Sequence, residues 1–313
     1  MDVTIIDGNH LLYRSVHKGV KLDLGQGTGQ PTAGLYLFLK SLWGIKEYGA
    51  PIVIFDGIHS KFRTNIYPGY KVREHTTDEL VVNMKKFTWD NIGRLLNTMG
   101  IPTVVVPEEA DDVIYHLSSK FSPTCNVIAV SDDHDYLQMI QVGAKIYQAM
   151  KEKWYGKSNF KENFKFDLCY YTLWLALQGD TSDCITGINK VGPVTATKII
   201  QAFAEESMIE PEENPLSVLS KLYEWSKVSD SKLKTLVINN FAIVKRNLFL
   251  IDLSLNNTVN VDNIAKAYTR SLERSEPNLD KLTELFTEYR FKSMGNWIAL
   301  IGGGYSFRYP IFE

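Results

Sequence analysis

The chain is 313 residues long, 44% hydrophobic and 22% charged, with 34 Lys and Arg against 36 Asp and Glu for a formal net charge of −2. That length buries a large core, as one big domain or two coupled ones, and the composition excludes a disordered chain. No apolar run reaches the roughly 18 residues of a membrane span, and MDVTIIDGNH lacks the basic, apolar start of a leader, so a cytoplasmic protein off the membrane is expected (host cytoplasm if viral). Cys125, Cys169 and Cys184 have no zinc-like spacing and read as buried thiols in a reducing compartment. A charge so near zero is neutral toward nucleic acid, because acids committed to cations would leave an effectively basic surface.

In chain order, Val3 to Ile6 is an apolar run of strand type with Asp7 at its end, expected to be the central strand of a sheet. GNHLLYR and a Gly-rich loop, LDLGQGTGQPTAG, follow. Leu35 to Tyr48 has helical apolar spacing, PIVIF is a second strand, and Asp56 stands at its end. Lys61 to His75 (KFRTNIYPGYKVREH) is the most basic and aromatic run of the first half, and Asp78 to Met99 reads as a helix with Thr77 as its N-cap. TVVVP, NVIAVS and AKIYQAM are further strands, with the helix DVIYHLSSKF between the first two. Strands alternating with helices predict an α/β fold with a mostly parallel sheet. After a soft boundary near 165 the pattern is almost wholly helical, which divides the chain into 1–165 and 166–313; the acidic EESMIEPEENP reads as a solvated loop.

The acids carry the strongest signal. Asp7 follows VTII, Asp56 follows PIVIF, Glu109, Asp111 and Asp112 follow TVVVP, and Asp133 and Asp135 follow NVIAVS. Each alone would serve as a turn residue or helix cap. Recurring at the carboxyl ends of strands, where open α/β sheets bind ligands, they point to one shared crevice. So many carboxylates repel one another unless cations sit among them, and all-oxygen ligation selects Mg²⁺ or Mn²⁺ over zinc. Two ions about 4 Å apart would suit in-line attack of water on a phosphodiester.

Gly179 to Ile200, GDTSDCITGINKVGPVTATKII, places Asp180 and Asp183 three residues apart ahead of a Gly-containing hairpin. It resembles the helix–hairpin–helix of the 5′ nuclease (flap endonuclease) family, whose usual form reads GDxSDNIPGxxGIGxKTA. IIDGNHLLYR, IFDG, EADD and SDDHDYLQM resemble that family's other acidic motifs in order, and NLFLIDLS resembles a C-terminal family segment. The resemblance implies a PIN-like nuclease core and two Mg²⁺ ions, replaceable by Mn²⁺. Their ligands would be Asp7, Asp56 (through water), Glu109, Asp111, Asp133, Asp135, Asp180 and Asp183, with Asp112 a direct ligand, a residue supporting the ligands from behind, or a helix cap, and Asp132 an extra acid. FRTNIYPGYK matches the family's FRxxxxPxYK and implies a helical arch over about 71–100, with Arg63, Tyr70 and Lys71 at its base. The next family arginine falls at Arg73, one place early. Lys71 with Arg63 or Arg73 would steady the phosphate, while Arg14 and Tyr70 would meet DNA and Lys85 and Lys86 would line a single-strand passage. In the hairpin, at 181–203, Gly187 and Gly192 would let DNA approach, with Thr195 and Lys198 at the next helix. Thr186 replaces a usual Pro, and Lys190 replaces a Gly, adding a cation at a position that strains lysine.

These features imply a 5′→3′ exonuclease and flap endonuclease acting on 5′-flap, nicked or gapped duplex DNA, with primer removal from RNA–DNA hybrids as a further role. The chain resembles the stand-alone bacteriophage type and is expected to be a monomer. A single-strand-binding protein or a clamp is a candidate partner, and the aromatic C-terminal tail would pack on the core or dock one. The alternative is an inactive junction-binding scaffold; no motif acid is substituted, which favours the enzyme.

Overall fold

The computed structural model describes residues 2–22, 30–45, 48–57, 60–72, 76–207, 209–210, 214–228, 230–256, 258–274 and 276–302. The Gly-rich loop's 23–29, Arg73 and the tail from 303 lie outside the described residues. The first half runs β1 (Asp2–Asp7), α1 (Gly8–Leu22), α2 (Ala33–Ile45), β2 (Ala50–Phe55), α3 (Lys61–Ile66), α4 (Glu79–Thr98), β3 (Thr103–Val105), α5 (Ala110–Phe121), β4 (Asn126–Val130), β5 (Lys145–Gln148), β6 (Lys153–Tyr155) and α6 (Lys157–Phe164). The second runs α7 (Tyr171–Gln178), β7 (Gly179–Asp180), β8 (Ile185–Thr186), α8 (Pro193–Glu206), α9 (Pro215–Lys227), α10 (Lys232–Asn239), α11 (Phe241–Ile251), α12 (Asp262–Arg274), α13 (Leu279–Glu288) and α14 (Gly295–Gly302).

The six-stranded sheet has the order β3-β2-β1-β4-β5-β6, parallel except for β6, and β1 lies inside it. Strand periodicity divides the core between the two faces. Val3 and Ile5, Ile52 and Ile54, and Val127 and Ala129 face one cluster with α5, α7, α8 and α11; Ile6, Val53, Phe55, Ile128 and Val130 face the other with α1, α2, α4 and α13. The first cluster runs without a break from Val3 into Phe203 and Leu248, so the helical half is built onto the sheet.

Two local readings differ from the sequence expectation, and one segment that had no assigned element forms a helix. GNHLLYR opens the 15-residue helix α1, because Asp7 caps it by accepting the His10 N–H at 2.9 Å and its apolar face packs on α2. Asp78 rather than Thr77 caps α4, accepting the Leu80 N–H at 2.9 Å. The cysteines are half-buried rather than buried, and no disulfide joins them. No described helix is long and apolar enough to cross a membrane.

Candidate active site

Register brings the acids together. Ile6 pairs with Val130 and Asp7 with Ile54, so the carboxyl ends of β1, β2 and β4 form one rim. Asp7, 6% exposed, also accepts from the Ser131 hydroxyl at 3.2 Å. Asp56 is held by the Asn9 amide at 2.7 Å and the Ala110 N–H at 2.6 Å. Asp111 rises from the first turn of α5. Asp133 accepts the Asp135 N–H at 3.0 Å, while its own N–H donates to Ser131 at 3.2 Å. Asp135, Asp180 and Asp183 form a second group, with one carboxylate oxygen from each within 4.8 Å of the others.

Burial, then the neighbouring Asp56, raises the Asp7 pKa to about 6 despite the His10 amide. Burial first, and then mutual repulsion, lifts Asp111 and Asp135 well above the carboxylate range. Asp56 and Asp183 are also raised, chiefly by burial, with Lys71 opposing. An all-oxygen donor set in which Asp7, Asp56, Asp111, Asp135 and Asp183 resist ionising is one that divalent cations fit.

Lys71 reaches both groups. Its Nζ lies 3.3 Å from Glu109 and 3.5 Å from Asp183. Burial alone would discharge it, but Asp111, Asp183, Glu109 and Asp56 hold the ammonium protonated. Tyr70 was expected to face DNA. Instead it is 4% exposed, and its hydroxyl donates to Glu109 at 2.8 Å and to Asp183 at 3.2 Å. Burial raises the Glu109 carboxyl, yet Lys71 and Arg63 outweigh it and leave Glu109 below its usual value.

Arg63 and Asp112 turn away from the crevice. The Arg63 guanidinium meets both Asp112 oxygens at 2.6 and 2.8 Å, Glu109 at 3.1 Å and the Leu250 carbonyl at 2.7 Å. Asp112 also accepts from Asn256 at 2.9 Å and is 0% exposed. Neither group has a face left for phosphate or metal; they join α3, α5 and the segment after α11. Adjacent positions on a helix point about 100° apart, which separates Asp112 from Asp111.

Several contacts carry no sequence signal. Asp132 accepts from Arg14 at 3.1 Å and from the Met150 N–H at 2.7 Å, and it lies 3.4 Å from His10. It therefore orients Arg14 rather than joining the metal acids. Asn9 and Ser131 brace Asp56 and Asp7, and Tyr136 lies buried beside Asp7 and Asp111. The spacing Asp7-x-Asn9 at a helix start was the one available clue to Asn9. Lys85 and Lys86 lie exposed on α4, whose other side packs against α1, α2 and α13. Lys86 pairs with Asp90 at 2.6 Å, and neither lysine touches the acids.

The hairpin is built for closeness. Gly179 ends α7 at φ 73°, and a Cβ on Gly187 would lie 1.8 Å from the Gln178 carbonyl oxygen. Gly187 thus closes the hairpin on itself rather than admitting DNA, whereas Gly192 faces open space. Gly192 caps α8 with Pro193 following, and Lys190 (φ 63°) and Lys198 are exposed beside that helix start, with Thr195 half-buried. Asn247, in the NLFLIDLS stretch, donates to the Thr186 carbonyl at 3.0 Å and the Ala176 carbonyl at 2.9 Å, and Arg246 donates to Thr186 at 2.9 Å. These bonds set the turn that presents Asp180 and Asp183.

An acid-lined crevice at the carboxyl ends of a parallel sheet, joined to a helix–hairpin–helix, defines a metal-dependent nuclease. Residues 2–165 match the family model described as 5′-3′ exonuclease, N-terminal resolvase-like domain. The 5′-3′ exonuclease of Aquifex aeolicus (strain VF5) is 32% identical over 205 residues, 64% of this chain and 68% of that one. The 5′-3′ exonuclease of Buchnera aphidicola subsp. Baizongia pistaciae is 25% identical over 306 residues, 96% of this chain and 94% of that one. In fold, the chain is similar to the bacteriophage T5 flap endonuclease solved with DNA and metal ions, at TM-score 0.63 and 19% identity, covering 88% of this chain and 100% of that one. The chain belongs to the 5′-3′ exonuclease family and is a metal-dependent 5′ nuclease.

Proposed function

We propose that the protein hydrolyses DNA phosphodiesters at 5′ ends and at 5′-flap junctions of flapped, nicked or gapped duplexes, and removes RNA primers from RNA–DNA hybrids. The observation that carries this reading is Lys71, a protonated cation within reach of two groups of acids. Asp7, Asp56, Asp111 and Asp133, with Glu109, would hold one Mg²⁺; Asp135, Asp180 and Asp183 would hold a second, Mn²⁺ substituting for either. When bound, such ions supply the charge that activates water and stabilises a leaving oxygen. Lys71 adds positive charge where the phosphoryl oxygens become more negative. Tyr70 keeps Glu109 and Asp183 at a fixed separation, and Arg63 with Asp112 supports Glu109 from behind.

Residues 1–165 supply Lys71 and most of the acids on this reading, and 166–313 add Asp180 and Asp183 and grip the duplex through the amides at the start of α8, with Lys190 and Lys198 beside them. Arg14 contacts substrate from the crevice's mouth, and Arg73 supplies a further cation. Residues 71–100, with Lys85 and Lys86, form the arch side of a single-strand passage; unchanged flap-threading rates in a double alanine variant would refute that role. The protein works as a cytoplasmic monomer, with a single-strand-binding protein or a clamp as candidate partner.

The test is cleavage of a 5′-flap duplex labelled at either end, with Mg²⁺, with Mn²⁺ and with EDTA. Metal-dependent products at the junction support flap cutting, and stepwise products from the 5′ end support exonucleolysis. Asp133→Asn should abolish cleavage and leave DNA binding intact. Tight junction binding by the native protein without cleavage in either metal would overturn the reading in favour of a scaffold.

A further inference from the structure

Lys71 lies in the left-handed backbone region at φ 53°, and Cys184, directly after Asp183, lies there at φ 59°. A side chain with a Cβ is disfavoured there, and asparagine, which the family pattern places at position 184, is among the residues that tolerate it best. The two segments meet through two bonds. The Lys71 N–H donates to the Asp183 carbonyl at 3.0 Å, and the Cys184 thiol donates to the Val72 carbonyl at 3.3 Å. This seam lies directly under the Lys71–Asp183 contact and beside the Tyr70–Asp183 bond. It joins the element that carries the cation to the turn that carries an acid of the second group.

We infer that Cys184 is a positioning residue: its thiol, bonded to the Val72 carbonyl, fixes the register between residues 71–72 and 183–184 and so sets where the Lys71 ammonium meets the reacting phosphate. Glycine at 184 would suit φ 59° better than cysteine and would delete the donor, so backbone comfort and the seam can be separated. Asparagine would tolerate the same φ and return an N–H donor. The inference rests on the reading of Lys71 as the phosphate-facing cation.

The experiment compares kcat, KM and DNA affinity on a 5′-flap duplex for Cys184→Gly, Cys184→Asn, Lys71→Ala and the Lys71→Ala/Cys184→Gly pair. Cys184→Gly should lower kcat about tenfold, a misplacement effect, with DNA affinity unchanged. Cys184→Asn should restore kcat to within about twofold of native, and in the Lys71→Ala background Cys184→Gly should add less than about twofold, because both changes act on one interaction. Native kcat in Cys184→Gly while Lys71→Ala is impaired would overturn the inference and leave the Lys71 reading standing. An equal tenfold loss in both backgrounds would also overturn it, since Cys184 would then act apart from Lys71. Native kcat in Lys71→Ala would overturn both.

Discussion

Asp7→Asn should do two opposite things: abolish metal-dependent cleavage and stabilise the metal-free protein. Burial raises the Asp7 carboxyl from its usual 3.8 to about 6. A rise of that size corresponds to about 3 kcal/mol of stability lost to the charge above the folded pKa. Because the folded carboxyl holds its proton more tightly than the unfolded one, the native chain gains stability as pH falls and loses it as pH rises from 3.8 through about 6. Asparagine carries no such charge, and it keeps an acceptor for the His10 N–H and a donor that the Ser131 hydroxyl can accept. At roughly 2 °C per kcal/mol, the variant should melt about 5 °C above native in EDTA near neutral pH. The gap should fall to about half near pH 5 and close near pH 4, as the native carboxyl protonates. Calorimetry across that range checks it, and Mg²⁺ should raise the native melting temperature more than the variant's. A variant no more stable than native in EDTA near neutral pH would refute the claim that Asp7 is held at a cost that cations relieve.

Asp112→Ala leaves the Arg63 guanidinium buried without its main partner and should cost about 3–5 kcal/mol in urea denaturation; a loss under about 1 kcal/mol would contradict the pairing. Lys190→Gly removes the positive-φ strain and should stabilise the fold by about 1 kcal/mol. The same change should weaken duplex binding and lower the slope of log affinity against log salt by about one, an unchanged slope arguing against a phosphate contact. Asn247→Ala removes the bonds to Ala176 and Thr186 and should cost about 2 kcal/mol while slowing cleavage, measured by melting and by single-turnover rate.

The sequence by itself determined β1 to β5, because short apolar runs bounded by turns suit strands buried on both faces of a sheet, while the antiparallel edge strand β6 and the short β7–β8 pair carried no such run. It also determined that Asp7, Asp56, Asp111 and Asp133 would share a crevice, since parallel strands place their carboxyl ends on one side. The αL position at Lys190 was legible too, because a hairpin glycine had been replaced there. The tertiary structure decided which polar side chains face that crevice. Arg63 and Tyr70 lie in a basic, aromatic run that reads as a DNA contact, yet both are buried because α3 and the following turn fold under Glu109. Asp111 and Asp112 are neighbours in sequence but separate on α5, one to the acids and one to Arg63. Asp132 had no assigned task until Arg14 and Met150, 118 and 18 residues away in the chain, closed on it. Local patterns report a strand's end or a helix's face; which long-range partner takes up a buried charge depends on segments that meet only when the whole chain packs.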